Sequence, residues 1–268
     1  MLRCGQDWQP TSIDRVVQSL ETSTRCVRTV TDQGTAFIKG QGNPAGAGAL
    51  AAELVAAELA AWFGLVVPDF AIIQIAGLPI PMVGSGDMLP GPAFASRLLP
   101  GGADVGPVAL SKLAVPADVS RLVLFDTWIR NGDRYPPVGS FNDPNYDNLF
   151  FMPLGHQFRI VALDHSHAFV EGGLEDEIGL ATVRHDARVF GMFPEFKPYM
   201  VEEHIVAGAV RLTSVEASFV DEIIASIPGE WGPSASARKK WATMIYERAM
   251  NVAALAPALL LEQGQLGL

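Results

Sequence analysis

The chain has only two cysteines, Cys4 and Cys26, both near the N-terminus and neither part of a Cys-x-x-Cys pair. A disulfide framework and a cysteine zinc site are therefore not expected. Cations are also scarce: 19 Lys and Arg stand against 29 Asp and Glu, for a formal charge of -10. So acidic a chain lacks the broad basic field that direct nucleic-acid binding needs, although a small cationic pocket takes only a few side chains. The opening stretch, Met1 to Asp7, has no apolar run of the signal-peptide kind. The apolar segment near residues 70–84 is interrupted by Gln74, Pro79 and Pro81, short of the about 20 residues of a membrane span. The expectation is a soluble, cytoplasmic protein without membrane contact.

What is present is a 49% hydrophobic content in 268 residues, enough to fill one large domain or two small lobes. Residues 24–39 alternate apolar and polar around the turn Asp32-Gln33-Gly34, which predicts a hairpin whose second strand ends at Lys39. Residues 49–63 are rich in Ala and Leu and predict a helix with Leu50, Leu54, Ala57 and Ala61 on one face. At about 100° per residue, Glu53 falls at the edge of that face. Gly64 and Pro68 end the helix.

Residues 69–76 predict a buried strand. The Gly- and Pro-rich stretch 77–106 holds one extended piece, residues 93–99, which reads as a crossing between two lobes. A second helix is expected over 117–130, closed by Asn131-Gly132. Strands are expected from Asn148 to Met152 and from Phe158 to Leu163, the latter ending in Asp164. Residues 199–262 read as helices, with breaks near 227–229 and at Gly232-Pro233. Strands first and helices last give the α+β class.

The candidate chemistry is phosphoryl transfer. It needs cations on the phosphates, oxygen or amide ligands for magnesium, and a carboxylate to orient the attacking hydroxyl. Lys39 ends a strand and could reach phosphates, and Glu53 on the next helix could pair with it. Asp133 could stand at a loop entrance held by Arg134. Asn148 could offer a side-chain oxygen to magnesium, with Asn142 and Asn145 nearby as alternatives. Asp164 is followed by His165, Ser166 and His167. Taken singly, these are an exposed lysine, a solvated Asp-Arg pair, a turn asparagine and a strand-end aspartate. Their order along the chain is the specific feature. A weaker alternative is a His/Asp metal hydrolase built from Asp164, His165 and His167 with His156 or His185.

In four stretches the chain resembles the HipA-like kinases, which share their fold with phosphatidylinositol kinases and, more distantly, eukaryotic protein kinases. These are Ala36-Phe37-Ile38-Lys39; Glu53 through Gly64-Leu65-Val66-Val67-Pro68; Phe125 through Asn131-Gly132-Asp133-Arg134 with Asn148-Leu149; and Ala162-Leu163-Asp164-His165-Ser166. They span about residues 22–170.

The resemblance implies a two-lobed protein-kinase-like fold. Residues 1–98 would be a small antiparallel-sheet lobe with one helix, and residues 99–268 a mainly helical lobe. It implies ATP and Mg2+ as cofactors and a serine/threonine-type protein kinase activity. Lys39 would contact the phosphates and Glu53 anchor it. Asp133 would be the catalytic carboxylate, and Asn148 and Asp164 the metal ligands. Arg97, Leu98 and Leu99 would belong to the hinge around adenine. A protein substrate is implied, as is the possibility of an antitoxin-like partner.

Three departures accompany the likeness. The family's asparagine follows its aspartate by five residues, whereas Asn148 follows Asp133 by fifteen, so the Pro-rich insert must loop out. No Phe-Gly follows Asp164. No glycine-rich loop precedes Lys39, and Thr22, Ser23 and Thr24 stand in its place. Two other readings therefore accompany the protein kinase: a transferase with a small-molecule acceptor or one that moves AMP, and a nucleotide-binding module without catalysis.

Overall fold

In a computed structural model, the structure describes residues 1–103, 106–140, 143–170 and 178–265. Asn142 lies outside these residues. The first half of the chain builds one five-stranded antiparallel sheet from β1 (Ile13–Ser19), β2 (Val27–Thr31), β3 (Gly34–Lys39), β4 (Phe70–Ile75) and β7 (Gly91–Arg97), in the order β1-β2-β3-β7-β4. A two-residue hairpin, β5 (Pro81–Met82) with β6 (Gly86–Asp87), fills the connection before β7. β2 and β3 form the predicted hairpin, with Thr31 opposite Gly34. β1 was not predicted: Asp14, Arg15 and Gln18 interrupt any apolar alternation, and bulges shift its register against β2 twice.

β7 corrects the reading of residues 93–99 as a crossing. It is an inner strand, paired to β3 through Lys39 opposite Phe94 and to β4 through Phe70 opposite Ser96. Only Leu98 and Leu99 run on beyond it.

Side chains alternate across a strand, and here the alternation separates two tasks. Ala36, Ile38, Ala71, Ile73, Ala93 and Ala95 pack with Trp8, Val27 and Met88 on one face. Phe37, Lys39, Phe70, Phe94 and Ser96 point to the other, where they line a cleft.

Helix α1 (Ala47–Phe63) crosses behind that cleft. Its Ala and Leu content favours the helix, and Gly64, left-handed at φ 88°, caps it by donating to the carbonyls of Ala60 and Ala61. The predicted single apolar face is too narrow. Every residue from Ala49 to Ala60 is buried, as expected of a helix that is apolar all round. Glu53 is therefore enclosed rather than placed at an edge, and Ala61 is the partly exposed one.

The rest is helical apart from the hairpin of β8 (Phe150–Leu154) and β9 (Gln157–Val161). α2 (Gly106–Leu110) and α3 (Ala117–Ile129) precede the hairpin. α4 (Ala181–Arg184), α5 (Glu202–Thr213), α6 (Ala217–Ala225) and α7 (Ala235–Gln265) follow it. α3 closes at Arg130, left-handed at φ 54°, rather than at Asn131-Gly132. The Arg130 side chain offsets that backbone cost by donating to Asp186 and to the Phe169 carbonyl.

α7 contains a stretch, Ala235–Leu261, long and apolar enough by length and composition to cross a membrane. Here its Trp241, Ile245, Ala249 and Val252 pack into the main core, and the enclosed Arg248 donates to the carbonyls of Thr127, Trp128, Val183 and Asp186. The main core runs from α1 through α3 to α5, α6 and α7, with the rings of Phe63 and Trp128 each in contact with the other and with both Trp62 and Phe125.

Candidate active site

The cleft has a volume of about 340 Å³, within the usual range of small-molecule sites. Its apolar part is built from Leu20, Phe37, Ala57, Val67, Phe94 and Phe150. Its polar end holds Lys39, Glu53, Asp164 and His165. A larger hollow of about 550 Å³ lies against the N-terminal segment, α1 and α6, and none of the sequence-predicted residues lines it.

Lys39 closes β3 on the cleft face, so the strand fixes its direction. Its Nζ lies 2.7 Å from Glu53 Oε2, 2.7 Å from Asp164 Oδ1 and 2.9 Å from Ser166 Oγ. Burial alone would lower the Lys39 pKa, but the Asp164 and Glu53 carboxylates reverse this and hold it well above its ordinary value. The ammonium stays charged at any physiological pH. Asp164 answers in kind: burial would raise its pKa, yet Lys39 holds it below the usual carboxylate range. Glu53 Oε2 also accepts from the His165 backbone N–H at 3.1 Å and from Ser166 Oγ at 2.8 Å.

Asp164 follows β9 with φ 57°, a conformation that Asp tolerates better than most residues. The turn is pinned on one side by Ala162 N–H donating to the Val66 carbonyl at 2.8 Å, and on the other by Ser166.

Asp133 and Asn148 form a second group, with Asn148 Nδ2 donating to Asp133 Oδ2 at 2.9 Å. Asn148 does not begin a strand; it ends the 3-10 turn Tyr146–Asn148. Asn145 caps that turn, its Oδ1 accepting from Asp147 N–H at 3.2 Å, so it serves the backbone. The fifteen-residue separation thus closes up in space.

Arg134 joins the two groups. The reading of a solvated Asp-Arg pair fails, because Arg134 is 0% exposed. Its guanidinium pairs with Asp126 and donates to the carbonyls of Asn148 and Leu163, and its Nη2 lies 3.1 Å from His165 Nε2. One buried fork therefore fixes the backbone beside Asn148 and the backbone before Asp164.

The remaining predicted residues are less uniform. Leu98, Leu99 and Arg97 line the cleft, and Arg97 Nη1 pairs with Asp69 at 3.3 Å. Thr24 is buried at 2% exposure and does not line the cleft. Ser23 Oγ is engaged with His167 Nε2 at 2.7 Å. Of the three residues expected in place of a glycine-rich loop, only Thr22 lines the cleft, and its Oγ1 accepts from Cys26 N–H.

The histidines do not converge. His165 sits edge-on to Phe125, His185 meets Asn251, and His156 lies exposed in the β8–β9 turn. Among the described residues no group of three His, Cys, Asp or Glu stands together as a metal site. Ser166 and Asp126 were missed as site residues. Both lie inside stretches that carry the family resemblance, but no role was read for Ser166, two residues after Asp164, or for Asp126, a charge inside an apolar helix.

A family model described as HipA-like kinase matches residues 13–255. No curated protein matches. Among solved structures, the crystal structure of a Helicobacter pylori proinflammatory kinase, CtkA, aligns with a TM-score of 0.59 at 11% identity, covering 94% of this chain and 97% of that one. At that identity the likeness is one of fold.

Proposed function

Because the chain belongs to the HipA-like kinase family, we propose that it is an ATP- and Mg2+-dependent phosphotransferase acting on a serine or threonine hydroxyl of a cytoplasmic protein. The observation that carries this is the meeting of Lys39, Glu53 and Asp164 within 2.7 Å contacts at the polar end of an apolar cleft. The acceptor class and compartment rest on the family and the sequence alone. In this reading the sheet and α1, residues 1–98, form the nucleotide-binding lobe, and residues 99–268 the other.

The donor set fits a hard cation. Among the described residues, Asp164 Oδ2 and Asn148 Oδ1 have no hydrogen-bond partner, since Asp164 turns Oδ1 to Lys39 and Asn148 turns Nδ2 to Asp133. One carboxylate and one amide oxygen suit Mg2+, which usually fills its shell with phosphates and water. When bound, the metal would neutralise charge on the phosphate oxygens.

The protein does the rest by position. Phe37, Phe94, Val67, Phe150 and Leu99 supply apolar walls for adenine. Lys39, held cationic and enclosed, meets phosphate charge away from bulk solvent. Asp133 is held by Asn148 and takes the acceptor hydroxyl's proton as the new O–P bond forms, while the bond from the γ-phosphorus to the β,γ-bridging oxygen breaks and ADP leaves with that electron pair.

The test is incubation with labelled ATP and Mg2+, with and without a lysate of acceptor proteins. Label should appear on protein with the wild type and vanish with Asp133→Ala. Equal labelling by both proteins would remove Asp133 from the chemistry, and none with the wild type would overturn the kinase reading.

A further inference from the structure

Ser166 belongs to none of the roles above, yet it touches three of the four groups at the polar end. A lysine ammonium has three N–H donors and no more. In this structure they go to Glu53 Oε2, Asp164 Oδ1 and Ser166 Oγ. A hydroxyl that accepts from Lys39 still has one proton to give, and the nearest acceptor is Glu53 Oε2 at 2.8 Å, with Asp164 Oδ1 farther away at 3.4 Å. Lys39, Glu53 and Ser166 therefore close a hydrogen-bonded triangle, with Asp164 attached at one corner.

The four side chains differ in enclosure. Lys39 is 9%, Glu53 6% and Asp164 34% exposed by side chain, and Ser166 is 5% exposed. If Lys39 is to meet a phosphate, one of its three donors must be released. The donor on Asp164 is the one that can go: Asp164 is the open corner, and a metal would draw it away. Glu53 and Ser166 are enclosed and bonded to each other.

The geometry points to Ser166 as a positioning residue, one that keeps the Lys39 ammonium and the Glu53 carboxylate in fixed alignment if a bound metal were to take Asp164 from Lys39. This rests on the phosphotransferase reading. Without the hydroxyl, Lys39 keeps a single enclosed partner, and the ammonium can follow Asp164 rather than stay on the phosphates. The loss would be felt where phosphoryl charge redistributes, and much less in ground-state binding.

The experiment uses the full chain as wild type, Ser166→Ala, Ser166→Thr and Ser166→Cys. ATP turnover is followed by ADP release at varied ATP with Mg2+. Binding of the β,γ-imido analogue of ATP is measured by calorimetry, and folding by thermal melting. Ser166→Ala should lose roughly tenfold or more in kcat, with KM and analogue Kd within about threefold of wild type. Ser166→Thr keeps the hydroxyl and should recover most of kcat. Ser166→Cys keeps the volume with only a weak donor and should resemble Ala, which carries the test if Ala does not fold.

Alanine kinetics equal to wild type would overturn the inference. So would a loss confined to KM and Kd, or folded Thr and Ala proteins equally impaired. A wild type without turnover would overturn the kinase reading and this inference together. Turnover by the wild type with an indifferent Ser166→Ala protein would overturn this inference alone.

Discussion

Arg134 Nε donates to Asp126 Oδ2 at 2.8 Å, and neither side chain exposes any surface. Burial pushes the Asp126 carboxyl up, while Arg134 and the Asn131 amide, at 2.9 Å from Oδ1, pull it back toward the ionised form. The other guanidinium nitrogens serve the Asn148 and Leu163 carbonyls and the His165 ring. Removing one partner strands the other charge in the core. Asp126→Ala should therefore cost about 3–5 kcal/mol, read from the urea midpoint at unchanged m. A loss below about 1 kcal/mol would mean that water replaces the carboxylate and that the pair does not hold the site together.

Asp133 and Asp164 should fail in different ways. Asp133 lies beside Asn148 and away from the Lys39 contacts, so Asp133→Asn should leave affinity for a non-hydrolysable ATP analogue intact and lower labelled-phosphate transfer by at least about 10²-fold. Asp164→Ala should instead abolish the part of the analogue's affinity that depends on Mg2+, together with transfer. Calorimetry with and without Mg2+ separates the two, and identical profiles would contradict the division of labour.

The hairpin, the first helix and the order of the charged residues were legible because each is local: Asp32-Gln33-Gly34 is turn chemistry, and residues 49–63 are good helix formers. What stayed illegible depends on partners distant in sequence. Glu53 looked like an edge residue because periodicity cannot show that α1 is covered on every side. Arg134 looked solvated because its acceptors come from Asp126, Asn148 and Leu163, and no local pattern marks a buried fork. The end of α3 was legible to within one residue, but its cap was not, because Arg130 adopts the left-handed conformation that Gly usually supplies. β1, with Asp14 and Arg15 side by side and a bulged register, lacks the alternation that announces a strand.

Gly101 offers a test of the segment between sheet and helices. It has φ 127°, and a Cβ there would stand 2.1 Å from the Phe151 carbonyl oxygen, which is backbone and cannot rotate away. Its neighbour Gly102 exchanges both backbone bonds with Phe151, at 3.2 and 3.0 Å. Gly101→Ala must therefore break that bridge or strain the chain, at a cost of about 1–3 kcal/mol. Leu98 and Leu99, just before it, line the cleft, so nucleotide affinity should fall along with the melting temperature. An unchanged Kd in a destabilised variant would show that the bridge supports folding without shaping the cleft.

His165 gives the protein a pH-dependent stability that can be assigned. Its ring is 1% exposed, stands edge-on to Phe125 at 5.5 Å between centroids, and lies 3.1 Å from Arg134 Nη2. Burial, then the Arg134 charge, holds its pKa well below the ordinary 6.5, so the folded ring is neutral and accepts from the guanidinium. In the unfolded chain the same histidine takes up a proton near 6.5. The stabilisation is whole above that pH and drains as pH falls toward the depressed folded value, by up to about 1.4 kcal/mol per pH unit. In protein free of metal and nucleotide, the wild-type urea midpoint should drop between about pH 7.5 and 5.5. His165→Gln, which offers Arg134 an amide oxygen and cannot titrate, should start lower and run flatter. Parallel profiles would place the titration on another group, since His165 alone among the histidines contacts the Arg134 fork.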